Sequence, residues 1–126
     1  MKIEKVEHVG IAVKNIDETL KFYTGVMGVS ASDIQMGGNP AVMKMATINT
    51  PGAKLEFLQR MDPKSAVSID TIDHIAINVD NIEETLSAVK KDGGTLIHEK
   101  PLQLGKRKIA FALPKNSKVI IEFMQD

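Results

Sequence analysis

Four residues of this 126-residue sequence have the types and the spacing to do chemistry together: His8, Glu56, His74 and Glu122. His8 and His74 stand 66 positions apart (74 − 8 = 66), and so do Glu56 and Glu122 (122 − 56 = 66). A lone histidine beginning a strand is usually a satisfied polar residue, and glutamates are common on strands that face water. Two such pairs at one offset are a different matter, because symmetric halves that pair would gather two imidazoles and two carboxylates in one place. Imidazole and carboxylate suit Mn, Fe, Co, Ni or Zn, and four such ligands leave two places open on an octahedral ion. The expectation is one divalent metal ion per chain.

The offset is the trace of a duplication. Glu7-His8-Val9-Gly10-Ile11-Ala12-Val13-Lys14-Asn15-Ile16-Asp17-Glu18-Thr19-Leu20 is answered from Asp73 by Asp-His-Ile-Ala-Ile-Asn-Val-Asp-Asn-Ile-Glu-Glu-Thr-Leu. Lys54-Leu55-Glu56-Phe57-Leu58-Gln59 is answered by Ile120-Ile121-Glu122-Phe123-Met124-Gln125.

The elements that must carry these residues follow from periodicity. Residues 6–13 alternate as a strand, with Val9, Ile11 and Val13 on one face and His8 with small residues on the other. Asn15 and Glu18 form a capping box for a helix whose buried stripe is Ile16, Leu20, Tyr23 and Met27, ending near Met27 or Gly28. Strands are expected over residues 30–36, 41–48 and 54–59, with a loop at 37–40 and a turn at 50–52. Leu55 and Phe57 face the helix and Glu56 the other way. Residues 61–71 read as a linker. The second half repeats the plan: His74, Ala76 and Asn78 face away from the helix that Asn81 and Glu84 cap and Gly93-Gly94 ends. Short strands follow at 95–98 and 106–113, with Ile109, Phe111 and Leu113 on the packed side. In the last strand, 118–125, Ile121 and Phe123 pack inward and Glu122 looks out. The result is one α+β domain, residues 1–126, made of a βαβββ module (1–60), a linker (61–71) and a second βαβββ module (72–126). His98 reads as an exposed histidine at a strand end, and the methionines as core or cavity filler.

Composition sets the outer limits. Lys+Arg and Asp+Glu are both 16, so no global field favours nucleic acid or an anionic membrane. Cysteine is absent, which removes thiolate chemistry and leaves a metal only nitrogen and oxygen ligands. No apolar run approaches spanning length and no targeting core precedes the first strand, so a cytoplasmic location is expected.

The duplicated His-X-Gly/Ala-Ile-X-Val start, the capped helix after it and the two strand glutamates resemble the vicinal oxygen chelate superfamily, which includes glyoxalase I. The resemblance covers nearly the whole chain. It is most similar to the methylmalonyl-CoA epimerases through residues 80–86, 95–101 and 108–117 leading to Ile120-Ile121-Glu122, and through the linker Asp62-Pro63-Lys64-Ser65-Ala66-Val67. This resemblance implies a curved, open barrel-like mixed sheet with the helices outside, and a homodimer. It carries the family's metal positions onto His8, Glu56, His74 and Glu122. Two features depart from the epimerase pattern: the loop before the Lys-Ile-Ala-Phe strand is reduced to Leu104-Gly105-Lys106-Arg107, and Val42-Met43-Lys44 lacks the free glutamate of some epimerases.

The implied activity is that of a metal-dependent isomerase or epimerase, which removes a proton next to a carbonyl and holds the resulting enediolate. Glu56 and Glu122 would serve as base and acid, and the substrate would be a small thioester or thiohemiacetal. The alternatives are a lactoylglutathione lyase (glyoxalase I)-like enzyme and a non-catalytic small-molecule binding or resistance protein of the same fold. Members of the last class generally lack the four-ligand set. With Ile109, Phe111 and Leu113 under the helix, alternation sends Lys108, Ala110 and Ala112 to the cavity, and Lys44, Ala46 and Ile48 likewise in the first half. Lys44 and Lys108 are therefore expected to bind an anionic substrate such as an acyl-CoA.

Overall fold

The computed structural model describes residues 2–38 and 42–126. The elements run β1 (Ile3–Ala12), α1 (Ile16–Lys21) continued by a π-helical turn (Phe22–Val26), β2 (Gln35–Gly37), β3 (Met43–Asn49), β4 (Lys54–Arg60), β5 (Thr71–Val79), α2 (Ile82–Lys91), β6 (Thr95–Leu96), β7 (Leu102–Leu104), β8 (Arg107–Leu113) and β9 (Ile120–Gln125). This is the α+β plan that the repeat predicts. The expected loop at 37–40 and the start of the 41–48 strand lie partly outside the described residues. The chain divides into two compact units: Val9–Asp73, and Met1–His8 together with His74–Asp126.

In the unit Val9–Asp73, β2, β3 and β4 pair antiparallel, with Ala46 opposite Phe57 and Thr47 opposite Glu56. Val13, Ile16, Ala46, Ile48 and Phe57 form its core, joined by Leu20 and Tyr23 from the helix. Asn15 starts α1 by accepting from the Glu18 amide at 3.1 Å. After Lys21 the helix widens, and the Met27 amide reaches the Phe22 carbonyl, five residues back. The wider turn rotates the end of the helix, so Met27 is 59% exposed rather than part of the buried stripe. The strand expected over 30–36 is reduced to β2, preceded by an irregular stretch in which Ser32 bonds to Thr47 through both backbone and hydroxyl.

In the other unit, β5 runs parallel to β9, and β9 antiparallel to β8. β8 also carries β6 and the short β7, a strand that the sequence pattern did not suggest. Gly105, at φ 62°, makes the tight β7–β8 turn that a residue with a Cβ would strain. The two faces hold separate cores. Val79, Ile82, Leu86, Ala110, Ala112 and Phe123 pack beneath α2, while Ala76, Ile109 and Met124 pack on the opposite face with Phe111 against them. The rows of β8 are thus the reverse of the expectation. Small Ala110 and Ala112 lie under α2, where a helix must approach the sheet closely, and the bulkier Ile109 and Phe111 take the other face.

The duplication extends to the hydrogen bonds that start the two helices. The amide of Ile16, first residue of α1, donates to Gln59 Oε1 at 2.9 Å, and that of Ile82, first residue of α2, donates to Gln125 Oε1 at 2.7 Å. A strand glutamine thereby satisfies a helix-start donor in each unit. Asn81 accepts from the Glu84 amide at 2.9 Å. Replacing Asn81 by alanine is expected to lower unfolding stability by about 1 kcal/mol, read as a lower denaturant midpoint at unchanged slope.

Candidate metal centre

The N-terminal half of β1 brings His8 into the second unit. It is tied there by two hydrogen bonds between Lys2 and Asp80: the Lys2 amide donates to the side-chain Asp80 Oδ1 at 2.8 Å and the Asp80 amide to the Lys2 carbonyl at 3.2 Å. His74 stands on β5 and Glu122 on β9, where it pairs in register with Ala76 on one side and Phe111 on the other. His74 and Glu122 belong to the face away from α2, as alternation requires once Val79 and Phe123 are committed to the helix side, and His8 meets them there.

Three donor atoms converge. His8 Nε2 lies 3.1 Å from His74 Nε2, and Glu122 Oε1 lies 3.2 Å from each of those nitrogens. The two rings stand nearly perpendicular, at 86°, with centroids 5.2 Å apart, so they approach the common point from different directions. Ligands on neighbouring corners of an octahedral ion at about 2.1 Å stand about 3.0 Å apart, and on a tetrahedral ion about 3.4 Å. The observed separations fall between these values, so the donor set fits a first-row divalent ion. His8, His74 and Glu122 are all buried, and they are the group of metal-ligating side chains found together among the described residues.

The electrostatics agree with that chemistry. Burial acts to raise the Glu122 carboxyl, but hydrogen bonds and attraction from His74 and His8 outweigh it and hold its pKa at about 2. The carboxylate is therefore ionised across any working pH, as a ligand must be. Phe111 closes one side, its ring 5.5 Å from that of His74. Asn78, further along the same face of β5, is buried with its Nδ2 donating to Asp126 Oδ2 at 3.3 Å; its Oδ1 has no hydrogen-bond partner among the described residues.

The remaining candidates belong to other elements. Glu56 is on β4 in the unit Val9–Asp73, facing the same way as Thr47 and away from Phe57. Lys108 corrects an expectation. Its row lies under α2, and its Nζ donates to Glu83 Oε1 on that helix at 2.7 Å, which holds the Glu83 carboxyl below its ordinary range. Lys44 shares a row with Ala46 and Ile48, both in the core under α1, so it too lies on the helix side. His98 is half-buried rather than exposed, because its Nδ1 accepts from the Phe111 amide at 3.1 Å and its ring packs 5.6 Å from that of Phe111. Glu7 escaped the sequence reading. Its Oε1 lies 2.7 Å from His8 Nδ1, and the only signal for it was an acidic residue before each histidine of the repeat.

Comparison with known proteins agrees with this architecture. A curated lactoylglutathione lyase from Neisseria meningitidis serogroup A is 29% identical over 123 residues, covering 94% of this chain and 88% of its own. Among solved structures, a hypothetical protein of Bacillus halodurans C-125 superposes with a TM-score of 0.78 at 27% identity, over 97% of this chain and 94% of that one. A Streptomyces coelicolor methylmalonyl-CoA epimerase in complex with 2-nitronate-propionyl-CoA shares the fold, with a TM-score of 0.80 at 19% identity over 99% and 96% of the two chains. The family model described as the Glyoxalase/Bleomycin resistance protein/Dioxygenase superfamily matches residues 5–121, nearly the whole duplicated region, and the chain belongs to that superfamily.

Proposed function

We propose that this chain is a divalent-metal-dependent isomerase that moves a proton on the carbon next to a carbonyl, acting as an epimerase on a thioester of the methylmalonyl-CoA type. The observation that carries this reading is the convergence of His8 Nε2, His74 Nε2 and Glu122 Oε1 within 3.2 Å of one another in a buried setting. Glu56 is the fourth ligand in this reading, because the repeat relates it to Glu122 as it relates His8 to His74. When bound, a divalent ion (Co, Ni, Mn, Zn or Fe) polarises the substrate carbonyl and offsets the charge that develops as the neighbouring C–H bond breaks, worth several kcal/mol.

The chain's own residues do the rest. His8 and His74 hold neutral nitrogen donors in fixed directions. Glu122 and Glu56 act as the proton-transfer pair, one accepting the proton and the other returning it to the opposite face of the carbon, with each well-placed group contributing about 10²–10⁴-fold. Ile109, Phe111 and Met124 present apolar surface on the face that carries Glu122, which limits water around the developing charge.

A second reading, a lactoylglutathione lyase-like enzyme, is favoured by the 29% identity over 123 residues. It needs the same proton transfer on a thiohemiacetal instead of a thioester. Metal-loaded protein in D2O, given either methylmalonyl-CoA or a 2-oxoaldehyde–glutathione hemithioacetal, separates the two by mass spectrometry. Deuterium entering the acyl-CoA is the expected result. Turnover of the hemithioacetal alone favours the lyase. No reaction with either from folded, loaded protein overturns both and leaves a binding protein.

A further inference from the structure

We propose that Glu7 is a positioning residue for the metal centre, fixing the His8 ring so that its Nε2 presents a lone pair to the ion. The inference rests on the metal reading above and adds to it a residue outside the ligand set. Adjacent side chains on a strand normally leave on opposite faces, so Glu7 and His8 would ordinarily have no contact. Here the Glu7 carboxylate comes round to 2.7 Å from His8 Nδ1. Its side chain is only 9% exposed, and a carboxylate that far from water is costly unless it is paired or hydrogen-bonded.

The pairing has one consequence for the ring. A carboxylate can only accept, so Nδ1 must carry the hydrogen and donate it to Glu7 Oε1. A metal takes a neutral imidazole, so when an ion replaces the proton between Nε2 and Glu122 Oε1, Nδ1 keeps its hydrogen and Nε2 is left with a free lone pair. Nε2 is the atom that stands 3.1 Å from His74 Nε2 and 3.2 Å from Glu122 Oε1. Glu7 thus selects the tautomer in which the atom pointing at the cluster can ligate, restrains rotation of the ring, and through its charge makes Nε2 a stronger donor. Loss of such an outer partner typically weakens metal binding about 10–100-fold.

The test measures affinity for Co²⁺ by chelator competition at one neutral pH, with no substrate present, alongside the visible absorption spectrum of the bound ion. Glu7→Ala is expected to weaken Co²⁺ binding about 10–100-fold and to shift the spectrum. Glu7→Gln keeps an acceptor oxygen at the same reach without the charge, so its affinity should lie between wild type and Glu7→Ala. Glu4→Gln, the same charge change at an exposed position of β1, should bind as wild type does. Circular dichroism of the metal-free proteins checks that each variant is folded, and the isosteric Glu7→Gln decides the matter if Glu7→Ala is not. Wild-type protein that binds Co²⁺ while both folded Glu7 variants match it within twofold overturns the role of Glu7 and leaves the metal reading standing. Wild-type protein that does not bind Co²⁺ overturns both.

Discussion

Replacing both His8 and His74 by alanine is expected to abolish stoichiometric binding of a divalent ion. A structural zinc site with four ligands contributes about 10–16 kcal/mol, or roughly 3 kcal/mol per ligand, so losing two should weaken binding on the order of 10⁴-fold. The wild-type protein gains stability from the ion by mass action, about 4 kcal/mol at a thousandfold excess over Kd, and its melting temperature should rise on loading. The double variant should show no such rise and no retained metal by elemental analysis after gel filtration. The comparison must be made on the metal-free proteins first, because the substitutions also strip Glu122 of the two groups that hold its pKa at about 2. That removal has a sign. A carboxyl depressed in the folded state stabilises the fold above its unfolded pKa, and the contribution fades as pH falls toward about 2. Without the imidazoles the burial effect remains and the carboxyl moves upward, so the double variant should lose stability at neutral pH relative to wild type. Wild-type protein that takes up no divalent ion at neutral pH would sink the metal assignment.

The site was legible because it was written twice. One offset related the histidines, the glutamates, the capping asparagines and the strand glutamines, and the geometry then brought His8, His74 and Glu122 together. What escaped was information that periodicity does not carry. Residues 106–113 contain two alternating rows, both apolar enough to be buried, and the bulkier row was assigned to the helix. Side-chain volume decides that choice in the other direction: Ala46, Ala110 and Ala112, each at most 2% exposed, let a helix lie close to its sheet. That reversal puts Lys108 on the α2 side, bonded to Glu83, and Phe111 beside His74. The π-helical turn at Phe22–Val26 was equally hidden, since a stripe at 3.6-residue spacing assumes that the helix stays regular to its end. Glu7 was hidden for a third reason. Alternation argues that neighbours on a strand do not meet, and only coordinates reveal where the long carboxylate side chain bends back to its neighbour.

Glu122→Gln is expected to leave most metal binding intact while slowing proton exchange by about 10²–10⁴-fold. The substitution treats the two carboxylate oxygens differently. Glu122 Oε1 is the oxygen that both Nε2 atoms approach at 3.2 Å, and a glutamine keeps a carbonyl oxygen available for that position. The other carboxylate oxygen becomes an amide nitrogen, which has no lone pair to offer a proton. Ligation and base catalysis therefore separate in this one substitution, although the loss of a negative charge should still weaken the ion's binding somewhat. Glu56→Gln provides the paired measurement, since the repeat gives the two glutamates equivalent positions. If the two share the work of an epimerase, each variant should slow exchange from one substrate enantiomer more than from the other, because each carboxylate serves one face of the carbon. Metal content and wash-out of deuterium from each enantiomer of a labelled acyl-CoA supply the two readouts. Exchange at the wild-type rate in metal-loaded Glu122→Gln would reduce Glu122 to a ligand and move the base elsewhere, with Glu56 the residue to examine first.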